Sequence, residues 1–238
     1  MGPQATEALQ AGELALAQLH AEMRACRRCL EHGHSVVPGA IFSGPLCAQI
    51  VLVGQAPGVS EVEAQRPFHA SAGRRLFEWL SEAGWEEDAF RATQYMTAMT
   101  KCYPGKAAGG RGDRAPSRSE QQLCGPFLAR ELELVEPSLI IAVGALAVRR
   151  FLGQVKLREV VGQVYRREKR WVVPLPHPSG ANLWLNRAEN QALVRRALGH
   201  VATYSRTLGL LVDDETPELR ASDESAWPPG MGGAGDEG

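Results

Sequence analysis

No apolar run in the 238 residues approaches the roughly 18 that a membrane-crossing helix requires. The amino terminus lacks the basic segment followed by an apolar stretch that marks a secretory leader, so the expectation is a cytoplasmic protein with no membrane partner. No internal repeat is visible. In a reducing compartment the five cysteines are no disulfide framework, and their spacing has to be read as metal ligands or inert thiols.

What is present is unevenly spread. The formal net charge is −1. Residues 212–238 hold eight acids against Arg220, a net of −7, which leaves +6 on residues 1–211. The body is basic and compatible with a polyanionic partner. The tail, ending in a Pro- and Gly-rich stretch, has little to bury and is expected to be disordered. The 44% hydrophobic content suits one α/β domain over residues 1–211.

The chain is organised around residues 49–73. Ile50, Val51, Leu52 and Val53 form a short apolar run that breaks at Gly54-Gln55-Ala56-Pro57-Gly58. Such a run reads as a strand buried on both faces of a parallel sheet, which puts the glycine loop at the sheet's carboxyl edge, where ligands bind. Arg66-Pro67-Phe68-His69 then delivers an aromatic ring in a non-helical segment. Loop and ring together suit a flat ligand.

Around this centre, residues 5–25 read as an amphipathic helix carrying Leu9, Leu14, Leu16, Leu19 and Met23, leading into Cys26-x-x-Cys29. Further helices are expected over residues 72–83, from the Ser117…Glu120 capping box to before Pro137, and over 145–152 and 187–208. The last of these places Ala192, Leu193, Ala197, Leu198 and Val201 on its apolar side. Strands are expected over 94–100, 138–144, 161–165 and 171–175. The alternation predicts a three-layer α/β/α sandwich with a central, mainly parallel four-stranded sheet. Residues 104–117 are Gly-rich and basic with the single acid Asp113, and read as a mobile loop whose Arg-Gly-Asp triplet is fortuitous. Cys47, alone, reads as a buried thiol.

Cys26, Cys29, Cys102 and Cys124 come from separate segments of one domain. Four thiolates fit either Zn²⁺ or a [4Fe–4S] cluster. His177, between Pro176 and Pro178 with Ser179 next, lies in a stiff loop, well placed to donate to a developing oxyanion.

The order C-x-x-C, Gly-x-Ala-Pro-Gly (54–58), Arg-Pro-Phe (66–68), Lys-Cys-x-Pro (101–104), a helix-borne Cys124, Leu-Ile-x-Ala-x-Gly (139–144) and His-Pro-Ser (177–179) resembles the iron–sulfur branches, families four and five, of the uracil-DNA glycosylase superfamily. It covers residues 23–205. The resemblance implies a [4Fe–4S] cluster on Cys26, Cys29, Cys102 and Cys124, and hydrolytic excision of uracil or another deaminated base from DNA by a monomeric, nucleoid-associated repair enzyme.

Such chemistry needs a flipped base, at a cost of roughly a few kcal/mol, which stacking on Phe68 offsets by about 1–3 kcal/mol. His177 stabilises the departing base, while Glu61, seven residues after Gly54, is the candidate to position water beside Gln55. Gly54, Ala56, Pro57 and Gly58 shape the pocket. Ser179, with the amide of Gly180, is placed to hold a backbone phosphate, and Ala181, Asn182 or Leu183 to lie near the gap left in the helix, with Leu183 as the wedge.

The chain departs from the family in four places. Gln55 replaces a glutamate, Ala98 stands where the uracil-strict branch reads the base with asparagine, no aspartate follows Phe68, and the basic loop 104–117 is longer than either branch suggests. Loss of a buried amide relaxes base discrimination. The same departures leave room for a non-catalytic reader of uracil-containing or abasic DNA, and His69 for a covalent trap. A zinc or redox scaffold unrelated to DNA would leave Phe68 and His177 without a role.

Overall fold

A computed structural model describes residues 2–109 and 112–211. The expected acidic tail lies outside them. In chain order the elements are α1 (Pro3–Ala25), α2 (Arg28–Glu31), β1 (Ile50–Gly54), α3 (Val59–Ala64), α4 (Ser71–Glu82), α5 (Glu87–Thr93) and β2 (Tyr95–Ala98). After these come α6 (Arg118–Val135), β3 (Leu139–Val143), α7 (Ala145–Leu152), α8 (Leu157–Val160), β4 (Tyr165–Arg167), β5 (Arg170–Leu175), a 3₁₀ turn (Leu183–Asn186) and α9 (Ala188–Thr207).

The sheet has five strands in the order β2-β1-β3-β5-β4 rather than the expected four. β1 pairs in parallel with β2 and β3, and β3 with β5, while β4 is antiparallel to β5. The strand expected over 161–165 is displaced: Val161 is buried just after α8, Gly162 takes φ +86°, and only Tyr165 enters β4.

Every residue of β1, β2 and β3 is buried, as runs without polar alternation require. Alternate side chains feed two cores. Val51, Val53, Tyr95, Ile140 and Val172 meet α1, α6 and α7 through Leu19, Met23, Phe127, Leu128 and Val148. Leu52, Met96, Ile141, Val143 and Val173 meet α4, α5 and α9 through Leu76, Leu80, Phe90, Leu198 and Val201. Each fully buried side chain of this kind contributes about 1.5–3 kcal/mol. Leu9 and Leu14 stay exposed, so only the second half of α1 packs. In α9 the buried positions begin at Val194; Ala192 and Leu193 are not fully covered. Cys47 is exposed, not buried. Among the described residues no helix is long and apolar enough to cross a membrane.

One polar chain runs beneath the sheet. Lys101 Nζ and Glu131 Oε2 lie 2.6 Å apart, both essentially inaccessible. Lys101 also donates to Thr97 Oγ1 and the Ala98 carbonyl, at 2.7 and 2.6 Å. Tyr95 Oη and Thr97 Oγ1 donate to Glu131 Oε1 at 3.0 and 2.9 Å. Since the tyrosine proton is committed there, His20 Nε2 donates to Tyr95 Oη at 2.8 Å. Burial first, and Arg24 second, lower the His20 pKa to about 4, which keeps the ring neutral. A buried pair tolerates loss of one partner poorly. Glu131→Ala, leaving the Lys101 ammonium unpaired, is expected to cost about 3–5 kcal/mol in denaturant unfolding; a loss below about 1 kcal/mol would show that the pair is not a determinant of stability.

Candidate active site

At the carboxyl edge of the sheet a cavity of about 570 Å³ opens between the loops that follow β1, β2 and β5. Its size falls within the roughly 300–1,000 Å³ of small-molecule sites. Gly54, Gln55, Ala56, Pro57, Gly58, Glu61, Phe68, Ala98, His177 and Ser179 all line it. Asn182 and Leu183 do not.

The glycine loop is fixed by its neighbours. The Gly54 carbonyl accepts from Met99 N–H at 2.9 Å and the Gln55 carbonyl from Thr100 N–H at 3.3 Å. Phe68 lies against Gly54, where an added Cβ would stand 2.9 Å from the ring's Cζ. A side chain at position 54 would therefore displace the ring.

Phe68 itself is at φ +52°, an uncommon region for a bulky residue. Its N–H donates to Glu61 Oε1. Arg91 donates to the carbonyls of Pro67 and Phe68, at 2.8 and 2.9 Å. Gly73, in the first turn of α4, is required here, because a Cβ would fall 1.8 Å from the Phe68 oxygen. Sequence reasoning missed Gly73 and Arg91; nothing local marks either as part of the site.

Glu61 also accepts from the Gly58 N–H at 2.5 Å. Both carboxylate oxygens are thus engaged by backbone, and the side chain ties the glycine loop to the aromatic one. Burial raises its pKa, against the lowering effect of these two hydrogen bonds. His69 is exposed and does not line the cavity.

His177 stands beside Gly144, whose added Cβ would meet the imidazole Cδ2 at 3.5 Å. Its Nδ1 accepts the Ser179 backbone N–H at 3.2 Å. A backbone amide can only donate, so Nδ1 is unprotonated and the neutral ring carries its hydrogen on Nε2. The loop is closed by Ala181 N–H to Ser179 Oγ at 3.2 Å and by Asn182 Nδ2 to the His177 carbonyl at 2.9 Å. Asn182 is therefore a brace for the histidine. Leu183 is 74% exposed, the disposition that insertion between base pairs requires.

Ala98 presents only a methyl group to the cavity, with Thr97 committed to the buried polar chain. Asp113 and Arg114 also line the cavity. The loop that carries them was expected to be mobile; residues 110 and 111 lie outside the described residues, and contacts form among the others. Tyr103 Oη donates to Asp113 Oδ1 at 2.7 Å, and Arg114 N–H donates to the Gly105 carbonyl at 3.0 Å. The signal in the sequence was a lone acid among basic residues.

Cys26, Cys29, Cys102 and Cys124 line a second, mostly apolar cavity with Met23, Val36, Pro38 and Phe127. Burial, followed by the other thiols, raises Cys102 to about 11, and burial followed by Cys124 raises Cys29 to about 11. Burial raises Cys124 as well, against the lowering effect of the Lys101 ammonium, and Arg27 and Arg28 also line the cavity. Among the described residues no three His, Cys, Asp or Glu side chains converge closely enough to ligate a single ion.

The model of the uracil DNA glycosylase superfamily matches residues 42–201, more than half of the chain. This protein belongs to that superfamily. Type-4 uracil-DNA glycosylases are among its relatives. That of Archaeoglobus fulgidus is 33% identical over 170 residues, 66% of this chain and 78% of the relative. That of Thermotoga maritima is 33% identical over 164 residues, 66% and 78% of the two chains. That of Pyrobaculum aerophilum is 32% identical over 158 residues, 63% and 74%.

Crowding by the cavity walls lowers the His177 pKa although the residue keeps solvent contact at the mouth. Burial thus favours the neutral ring. Nε2–H is a donor in both states, but protonation puts a hydrogen on Nδ1, which then cannot accept the Ser179 N–H that fixes the ring. A reaction that depends on this His177 geometry is expected to show an acid limb centred below 6.5, the ordinary histidine value. An acid limb centred at or above 6.5 in a single-turnover pH profile would contradict the assigned neutral state.

Proposed function

We propose that this protein is a DNA-repair glycosylase that flips uracil out of DNA and hydrolyses its N-glycosidic bond without cutting the strand. The observation that carries the reading is one cavity bounded by a glycine loop, an aromatic plate and a neutral histidine donor. The Type-4 names of the relatives point the same way.

The flipped uracil stacks on Phe68, which recovers about 1–3 kcal/mol of the unstacking cost. As the C1′–N1 bond breaks, negative charge moves onto the base, and the His177 Nε2–H donates to the carbonyl oxygen that receives it. Gln55 offers an amide to the base or to water from the loop above β1. Ser179, with the open Gly180 beside it, supports one phosphate, and Leu183 fills the space left in the stack. Ala98 makes no hydrogen bond to the base edge, so hypoxanthine or xanthine is discriminated against less than an asparagine would enforce.

A [4Fe–4S] cluster on Cys26, Cys29, Cys102 and Cys124 fits the apolar four-thiol cavity. When bound it supplies cross-linking of the α1–α2 junction to the β2–α6 segment. The functional unit spans residues 1–211, with 212–238 as an acidic appendage, and it acts as a monomer on nucleoid DNA.

The test is a single-turnover assay on end-labelled oligonucleotides carrying one uracil, hypoxanthine or xanthine, with alkali to reveal abasic sites. Uracil release is expected to fall by about 10²–10³-fold in His177→Ala. The purified protein should hold about four iron and four sulfide per chain. Retained binding to uracil-containing DNA with no base released would favour a non-catalytic reader. Zinc in place of iron would overturn the cluster assignment.

A further inference from the structure

Hydrolysis needs a group that orients water and takes its proton, and the geometry of Glu61 argues that it does other work. Its two oxygens accept from Gly58 and Phe68 N–H, holding the loops that form the base pocket. Among the described residues lining the cavity, the other carboxylate is Asp113.

Asp113 is brought there by local pairing. Lys106 and Asp113 form an antiparallel bridge, Ala107 N–H donates to the Gly112 carbonyl and Arg114 N–H to the Gly105 carbonyl, both at 3.0 Å. The chain folds back on itself. Tyr103 Oη at 2.7 Å and Lys106 Nζ at 3.3 Å both engage Oδ1. Oδ2 instead lies over the glycine loop, 3.1 Å from the position of an added Cβ on Gly58. The next residue, Arg114, is anchored by two hydrogen bonds to the buried Glu120 carboxylate, at 2.6 and 2.7 Å. Asp113 thus has Oδ1 clamped by Tyr103 and Lys106, while Oδ2 lies beside the glycine loop that lines the cavity.

The topology adds direction. Asp113 arrives from the connection after β2 and His177 from the loop after β5, and these strands lie on opposite sides of β1 and β3 in the sheet. A carboxylate and an N–H donor therefore enter the cavity from connections on opposite sides of β1 and β3, so one can serve the water and the other the departing base.

We propose that Asp113 is the carboxylate that positions the attacking water and accepts its proton, with Tyr103 and Lys106 holding it in place. This rests on the glycosylase reading. The water oxygen bonds to C1′ as the C1′–N1 bond breaks, and the bonding pair leaves with the base, which His177 holds as an anion. The water proton passes to Asp113 Oδ2 and then to solvent. The base anion takes a proton from solvent, leaving free uracil and an abasic sugar with a C1′ hydroxyl.

The experiment compares full-length wild type with Asp113→Asn, Asp113→Ala, Asp113→Glu and Tyr103→Phe in single-turnover release of uracil. Binding to DNA with a tetrahydrofuran abasic analogue and thermal melting are followed in parallel. Asp113→Asn preserves an acceptor for Tyr103 yet is expected to slow release about 100-fold or more, with analogue affinity and melting temperature close to wild type. Asp113→Glu should recover part of the rate, added formate should restore part of it to Asp113→Ala, and Tyr103→Phe should slow it about tenfold. Release by Asp113→Asn at the wild-type rate, or a slower rate matched by an equal loss of DNA affinity, would overturn the assignment. A wild type that releases no uracil would overturn the glycosylase reading and this role with it.

Discussion

The site depends on holding Phe68 in a conformation it would not choose. A left-handed non-glycine residue costs on the order of 1–3 kcal/mol and persists only where its surroundings over-determine it. At φ +52° the residue is fixed from three directions. Glu61 takes its N–H, Arg91 holds its carbonyl and that of Pro67, and Gly73 lets the α4 backbone approach within reach of no side chain. The ring then has one place to lie, on the bare backbone of Gly54. Two glycines, an acid and an arginine from four different elements converge on one torsion, and the aromatic face offered to a base is the result.

The second constraint is the connection between the two cavities. Ala98 faces the base pocket, Cys102 the thiol cavity, and Lys101 between them carries the charge buried against Glu131. Beyond Tyr103 the chain turns back to present Asp113 to the base pocket and Arg114 to Glu120, whose side chain closes the capping box at the start of α6. Burial on the cysteine side therefore fixes backbone on the side of the larger cavity.

Much of the scaffold was legible because its strands are short apolar runs ended by glycine, a pattern with few alternatives for β1 and β3. The start of α6 was legible because Ser117 and Glu120 form a capping box from local geometry alone. Register at the sheet edge was not, since Val161 and Val164 look like strand residues but pack beside α8 and α9. Leu9 and Leu14 have helical spacing with nothing to pack against. Phe68 and His177 stood out because prolines hold them outside regular elements. Asp113 did not, because its role comes from Tyr103 and Lys106 meeting it across a turn, in a Gly-rich stretch where periodicity carries no information. The bracing contact of Asn182 was hidden for a related reason: only the folded loop shows its amide turned back onto the His177 carbonyl.

The most direct test of the Phe68 constraint is the single-turnover uracil-release rate of Arg91→Met. Arg91 does not line the cavity, and methionine preserves most of its packing over Phe77, where the guanidinium lies 4.2 Å from the ring centroid. If hydrogen bonds from Arg91 hold the aromatic plate, the variant will lose about 5- to 160-fold in rate, the range set by about 1–3 kcal/mol of stacking, and will match Phe68→Ala. A wild-type rate in Arg91→Met, with Phe68→Ala impaired, would show that the ring keeps its place without this support.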